Sequence, residues 1–228
     1  MNMQIKPAIA HTKEEMKKGN PFATHEIFLT KEQINEFEKL LIKKASETTI
    51  DTFLAANPEI FTGALHNFRT GHHAAIVVPK QEIKPRLKLD NSKGLIPDFI
   101  IGGKSSDGWN YWIVELKGSD QTIFSQTNFD TYFSPEINKG ICQLLEYTDF
   151  CSEQQAALRD QFKLEGFREP NGLLIAGREN EILNDSKKQK LKAAWNKLST
   201  GKLEIRTYDF IMRHLRGLFD FHEKQKAK

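Results

Sequence analysis

One stretch constrains this chain more than any other. The apolar, β-rich runs Leu95-Ile96-Pro97-Asp98-Phe99-Ile100-Ile101 and Trp109-Asn110-Tyr111-Trp112-Ile113-Val114-Glu115-Leu116-Lys117-Gly118 flank the connection Gly102-Gly103-Lys104-Ser105-Ser106-Asp107-Gly108. That composition predicts a β-hairpin with a longer loop. Side chains alternate along a strand, so Glu115 and Lys117 leave one face while Trp112, Val114 and Leu116 leave the other. Antiparallel pairing across residues 102–108 runs the start of the first strand beside the end of the second. Asp98 is thereby set across from Glu115 and Lys117, and two acids and a base meet on one sheet face.

Two carboxylates about 4 Å apart repel by roughly 4 kcal/mol at an effective dielectric of about 20, equivalent to about three pKa units. They need a shared cation. The lysine alone can be that counter-charge, which makes the hairpin a purely structural feature. Mg²⁺ is the other solution, because it takes oxygen ligands in an octahedron and is usually held by one or two carboxylates plus waters and phosphates. A lysine two positions along the strand can then orient or deprotonate a water for in-line attack on a phosphodiester.

In Pro97-Asp98 followed by Glu115-Leu116-Lys117 the chain resembles the PD-(D/E)XK nucleases. Short acid-x-lysine strings are common, and flanking segments supply the specificity. Phe53-Leu54-Ala55-Ala56-Asn57-Pro58-Glu59-Ile60-Phe61 is similar to the Leu-x-x-Asn-Pro-Glu helix end of the Shedu family of bacterial defence nucleases, and Gln143-Leu144-Leu145-Glu146-Tyr147 resembles its Gln-x-x-x-Tyr helix. Gly172-Leu173-Leu174-Ile175-Ala176-Gly177-Arg178 and Arg206-Thr207-Tyr208-Asp209 resemble two later segments of that family. The likeness covers roughly residues 46 to 212, in the family's order.

The resemblance implies an α/β, restriction-endonuclease-like fold: a mixed central sheet flanked by helices, core order αβββαβ, with C-terminal αβα additions. It implies a metal-dependent DNA endonuclease acting in bacterial anti-phage defence, with Mg²⁺ (or Mn²⁺) as cofactor and DNA as partner. Asp98, Glu115 and the backbone carbonyl of Leu116 are the expected metal ligands. Lys117 is expected to position or activate water, and Gln143 and Tyr147 to orient the substrate or the lysine. Glu47, seven residues before Leu54 and so on the face of Ile50 and Leu54, is the expected third acid, with Glu59 as the other candidate. A first-turn acid that complements the helix dipole is the structural alternative for Glu47. A homo-oligomer is also expected, on the family likeness and on the apolar stripe of a helix at residues 31–45. The competing function is a non-catalytic nucleic-acid-binding or assembly module with the nuclease fold; the intact Asp, Glu and Lys weigh against it.

Composition is permissive. At 228 residues and 39% hydrophobic content the chain suffices for one sizeable core, and a net charge of +3 allows a nucleic-acid partner without demanding one. No stretch approaches the roughly 18 apolar residues of a membrane helix, and Met1 to Ala10 lacks a signal-peptide core, so a cytoplasmic protein without a membrane partner is expected. Cys142 and Cys151 fall in one helical stretch roughly 13 Å apart, beyond disulfide reach, and read as core thiols. Adjacent His72 and His73 do not suit a zinc site.

Along the chain, residues 1–27 read as loosely ordered. Thr30 with Gln33 makes a capping box before a helix with stripe Ile34, Phe37, Leu40 and Leu41. A second helix at 46–56 stops before Pro58, and Pro79 assigns the β-rich segment 74–83 to an edge or a bulge. Residues 119–138, with Phe124, Phe129, Tyr132 and Phe133, are expected as a loop over the site. Helix follows at 135–164 with a break near Ser152, then a strand at 172–177. Asp185 or Ser186 caps a helix with stripe Leu191, Ala194, Trp195 and Leu198 and a solvated face of Lys187, Lys188, Lys190 and Lys192. A strand at 203–207 leads to a last helix capped by Asp209. The expected divisions are an N-terminal segment and amphipathic helix at 1–45, a nuclease domain at 46–222 and a disordered tail at 223–228.

Overall fold

The computed structural model describes residues 13–65, 73–84 and 94–226; His72, the first twelve residues and the last two lie outside the described residues. Where loose order is expected, residues 13–27 instead hold helix α1 (Lys13–Gly19) and a short strand β1 (Ala23–Thr24). Their polarity hides long-range anchors: the Asn20 amide donates to the carbonyls of Phe162 (3.0 Å) and Lys163 (3.1 Å). Helix α2 (Lys31–Ile42) opens on the expected capping box, and its Ile34, Phe37 and Leu41 are buried within this same chain. The stripe therefore has a home and gives no argument for a second subunit. Helix α3 (Glu47–Ala56) is capped by Ser46 and ends at Asn57. Pro58 does not stop helical structure for long, since α4 (Glu59–Leu65) follows at once and buries Ile60, Phe61 and Ala64.

Strands β2 (Ala74–Pro79), β3 (Phe99–Ser105) and β4 (Gly108–Leu116) form an antiparallel meander. β1 pairs along β2, so β2 is no edge, and Pro79 sits at its last position opposite Phe99. The hairpin loop is shorter than expected, because Ser105 pairs with Gly108 and only Ser106 and Asp107 turn. Gly102 and Gly103 belong to the strand: a Cβ on Gly102 would lie 2.4 Å from a ring carbon of Tyr111, so glycine here makes room for an aromatic ring. Gly108, at φ +101°, takes a conformation that side chains oppose.

The connection after β4 is structured too. It contains a small hairpin, β5 (Phe124–Gln126) and β6 (Thr131–Phe133), with Phe124 and Phe133 buried and Phe129 at its exposed tip. Helix α5 (Pro135–Glu153) starts at a Ser134 cap and gives way to α6 (Gln155–Phe162) at Gln154. Cys151 is buried on α5 but Cys142 is exposed, so only one of the two thiols packs in the core. Strand β7 (Asn171–Ile175), helix α7 (Ser186–Leu198), strand β8 (Leu203–Arg206) and helix α8 (Tyr208–Lys226) complete the chain. The sheet order is β1-β2-β3-β4-β7-β8, antiparallel through β4 and parallel from β4 to β8, with α5 and α7 in the crossovers.

Alternation along β4 divides the interior. Tyr111 and Ile113 face a core shared with α5 and α6, while Trp112, Val114 and Leu116 face one shared with α2, α3, α4 and α8. The mixed sheet is thus covered on both sides, with the αβββαβ core and αβα extension expected. Helix α7 covers less than its stripe suggests. Leu191 and Trp195 pack on the core, whereas Ala194 and Leu198 are exposed. Its lysine face is also not uniformly solvated: Lys188 lies 3.8 Å from Glu181, and burial followed by the charge of Arg206 pushes Lys192 down to about 8. Thr207, not Asp209, caps α8, its hydroxyl accepting from Phe210 N at 3.3 Å. α8 runs on to Lys226, into the segment expected as a tail, since each residue added to an existing helix gains a hydrogen bond without a new nucleus.

Candidate active site

The register that pairs Phe99 with both Pro79 and Val114 carries their sequence neighbours along, so Lys80, Asp98 and Glu115 end up side by side at the ends of three adjacent strands. Asp98, Glu115 and Lys117 are 5%, 4% and 7% exposed. Buried charges are tolerated only when paired and hydrogen-bonded, and each of these is. Asp98 Oδ2 accepts from Leu116 N at 2.8 Å and Oδ1 from Lys80 Nζ at 2.9 Å. Lys117 Nζ donates to Glu115 Oε1 at 2.8 Å and to Gln143 Oε1 at 2.9 Å. The strand period and the hairpin pairing do bring the expected acids and lysine to one face.

Helix α5 supplies the other wall. Gly140 permits its close approach, because a Cβ there would stand 2.8 Å from a Leu174 methyl and 3.2 Å from Lys117 Cε. Gln143 and Tyr147, one turn apart, then point at the site; the Tyr147 hydroxyl donates to the Ile96 carbonyl at 3.4 Å just before Asp98. Burial, then the charge of Glu115, raises the Tyr147 phenol. From the opposite layer the fully buried Tyr208 donates its hydroxyl to the Lys117 carbonyl at 2.9 Å, which fixes the strand end from below.

The first turns of α3 add two more acids. Glu47 is exposed, not buried on the core face as expected, because the helix's first turn stands outside the core that Ile50 and Leu54 enter. It is nonetheless close enough to the cluster to feel Lys117, Asp98, Lys80 and Asp51, and partial desolvation raises its carboxyl. Asp51, one turn on, is raised by burial and then by Asp98, and its Oδ1 is buried with no hydrogen-bond partner among the described residues. Glu59, the other candidate, lies elsewhere: it binds Lys13 (2.8 Å), Thr24 (3.2 Å) and Gln33 (3.2 Å) and holds the N-terminal segment in place.

Lys80, Asp51 and Tyr208 join the cluster without being expected there, although Tyr208 lies in one of the family-like segments. Asp51 carried a signal, its i, i+4 spacing from Glu47. Lys80 carried none, since its place depends on a β2–β3 register set far along the chain. The electrostatics are those of acids sharing too few cations. Burial, then Asp98, pushes Glu115 up to about 7 against the opposing pull of Lys117. Among the described residues no three His, Cys, Asp or Glu side chains are grouped to hold a metal ion. Two carboxylates beside a strand-end carbonyl suit Mg²⁺, which keeps several waters, better than zinc, which wants a closed set of nitrogen and sulfur ligands.

A cleft of about 780 Å³ is lined by Leu41, Ser119, Arg178, Asp209 and Arg213, and by none of the acids or lysines of the cluster. Here the two later motif segments meet: Arg178 Nε and Nη2 grip Asp209 at 2.7 to 3.0 Å, and Asp209 also accepts from Glu179 N at 2.6 Å. Apart from Tyr208, which bonds the Lys117 carbonyl, these segments clasp β7 to α8 and do not enter the acid cluster.

A mixed sheet on an αβββαβ core, with one acid opening the hairpin and a Glu-x-Lys closing it, defines the PD-(D/E)XK class of nuclease folds. Residues 44–212 match the family described as Shedu protein SduA, C-terminal, and the chain belongs to that family. Among solved structures it is similar to MunI restriction endonuclease in complex with cognate DNA, at 11% identity and a TM-score of 0.32, over 76% of this chain and 93% of that one. So loose a superposition carries no weight beside the strand order. No curated protein matches the chain. None of the described helices is long and apolar enough to cross a membrane.

Proposed function

We propose that this protein is a metal-dependent DNA endonuclease that hydrolyses phosphodiesters in bacterial anti-phage defence. The observation that carries the reading is Lys117, buried, with its ammonium held between Glu115 (2.8 Å) and Gln143 (2.9 Å) on the face that also presents Asp98. Asp98 and Glu115, with the Leu116 carbonyl, would hold Mg²⁺ or Mn²⁺. Such an ion, when bound, supplies Lewis-acid stabilisation of the charge that develops on the phosphoryl oxygens. Lys117 positions the attacking water, and Gln143 fixes the direction of its ammonium so that the water meets phosphorus in line with the leaving oxygen. Tyr147 closes the α5 side, and Glu47 is the third acid at the mouth. The homo-oligomer implied by the family belongs to the same proposal and is tested by light scattering with and without DNA, where a monomeric mass in both would remove it.

The test is incubation of the purified protein with linear, nicked and single-stranded DNA in Mg²⁺, Mn²⁺ or EDTA. Divalent-dependent cleavage of at least one form is expected. Cleavage that persists in EDTA, or DNA that survives every condition, would overturn the reading.

A further inference from the structure

Lys80 has no place in the mechanism above, yet its ammonium occupies an oxygen of Asp98 at 2.9 Å. The other Asp98 oxygen is committed to the Leu116 N–H at 2.8 Å. Each carboxylate oxygen keeps a lone pair beside its hydrogen bond, but an ammonium on one of them repels a divalent cation, so release of that partner favours the ion. The two partners differ in freedom. Leu116 N is fixed by the sheet, whereas Lys80 stands at the open end of β2 on a flexible stem, its side chain 53% exposed against 7% for Asp98. Lys117 is no substitute, since it is tied to Glu115 and Gln143 and only 9% exposed.

We propose that Lys80 is a positioning residue that neutralises Asp98 until a divalent cation arrives and then transfers its ammonium to a phosphate of the bound DNA strand. The inference rests on the nuclease reading for its second half. The exchange avoids leaving charges uncompensated at either stage: before it, Lys80 offsets a buried carboxylate, and after it the released ammonium meets an incoming phosphate at the solvent edge of the same cluster. Lysine suits this exchange, being a compact point charge with rotatable donors that can leave one anion for another without the planar match that arginine requires.

Three proteins test it: the wild type, Lys80→Met and, should the methionine variant fold poorly, Lys80→Gln. Binding of Mn²⁺ alone to the DNA-free protein is read by electron paramagnetic resonance. DNA affinity is read by anisotropy in Ca²⁺ across a salt series. Loss of the competing ammonium is expected to tighten Mn²⁺ binding about two- to fivefold, the range open to a half-exposed ion pair. The slope of log affinity against log salt is expected to shrink by about 0.9, the share of one phosphate contact. Unchanged or weaker Mn²⁺ binding overturns the proposal, and so does an unchanged salt slope, which would leave the freed ammonium on Asp51 or in solvent. If the wild type itself binds neither Mn²⁺ nor DNA, the nuclease reading falls and takes this with it. If the wild type binds both and the Lys80 variants match it, this inference alone falls.

Discussion

Lys117 is restrained on three sides, by Glu115 and Gln143 at its ammonium and by Tyr208 at its carbonyl. Truncating one partner of a buried ion pair costs about 3–5 kcal/mol when the other charge is stranded. Glu115 escapes much of that cost, because burial and Asp98 already hold it near 7 and it can take up a proton. The same shift gives a pH signature. The folded-state pKa lies above the usual 4.5, so between about 4.5 and 7 the folded protein binds more protons than the unfolded chain. In EDTA, stability is therefore expected to fall as pH rises through that window and to level off above it. Melting temperatures of wild type minus Glu115→Gln across pH 4 to 8 isolate this contribution, and a flat difference would refute the assignment. Asp51 makes a second prediction. Its carboxylate is partly desolvated and its Oδ1 lacks a partner among the described residues, so Asp51→Asn is expected to raise the melting temperature by about 2–4 °C while lowering cleavage, the pattern of a charge kept for function. A lower melting temperature would make Asp51 structural.

At the scale of elements, the hairpin and α5 differ in how far they could be read. The hairpin's outcome is local: a period of two and a pairing across a few residues set Asp98, Glu115 and Lys117 on one face, so these were legible. Its loop length was not, because Gly102 and Gly103 have turn composition, and only the Tyr111 ring explains them as strand. The β5–β6 hairpin hid in a polar connection whose strands are three residues each. Lys80 was illegible for a related reason: its partner Asp98 lies across the segment between β2 and β3, and no local pattern sets that register. For α5, Gly140 is the sensitive point. Glycine to alanine gains about 1 kcal/mol of helix propensity, while the added methyl presses on Leu174 and Lys117. Gly140→Ala is thus expected to change stability little yet slow cleavage by about tenfold or more through displacement of Lys117, and single-turnover kinetics beside a melting curve separate the two. Unaltered kinetics would show that α5 can recede without disturbing the lysine.

At the scale of the molecule, the sheet separates two cores and the acid cluster sits at the strand ends where both layers reach it: α5 with Gln143 and Tyr147 from one side, α3 with Glu47 and Asp51 and α8 with Tyr208 from the other. This convergence on one sheet end could not be read from any single segment, although the ordered set of motifs pointed to it. The Arg178–Asp209 clasp shows the same limit, since two motif segments that were legible as strings turn out to tie β7 to α8. The central claim is that the buried Lys117 does chemistry and is more than a counter-charge. The most direct measurement is single-turnover DNA cleavage in Mg²⁺ by wild type and Lys117→Ala, both shown to be folded and to bind DNA in Ca²⁺. A loss of about a hundredfold or more in the variant, with DNA binding retained, is expected; equal cleavage rates in the two proteins would contradict it.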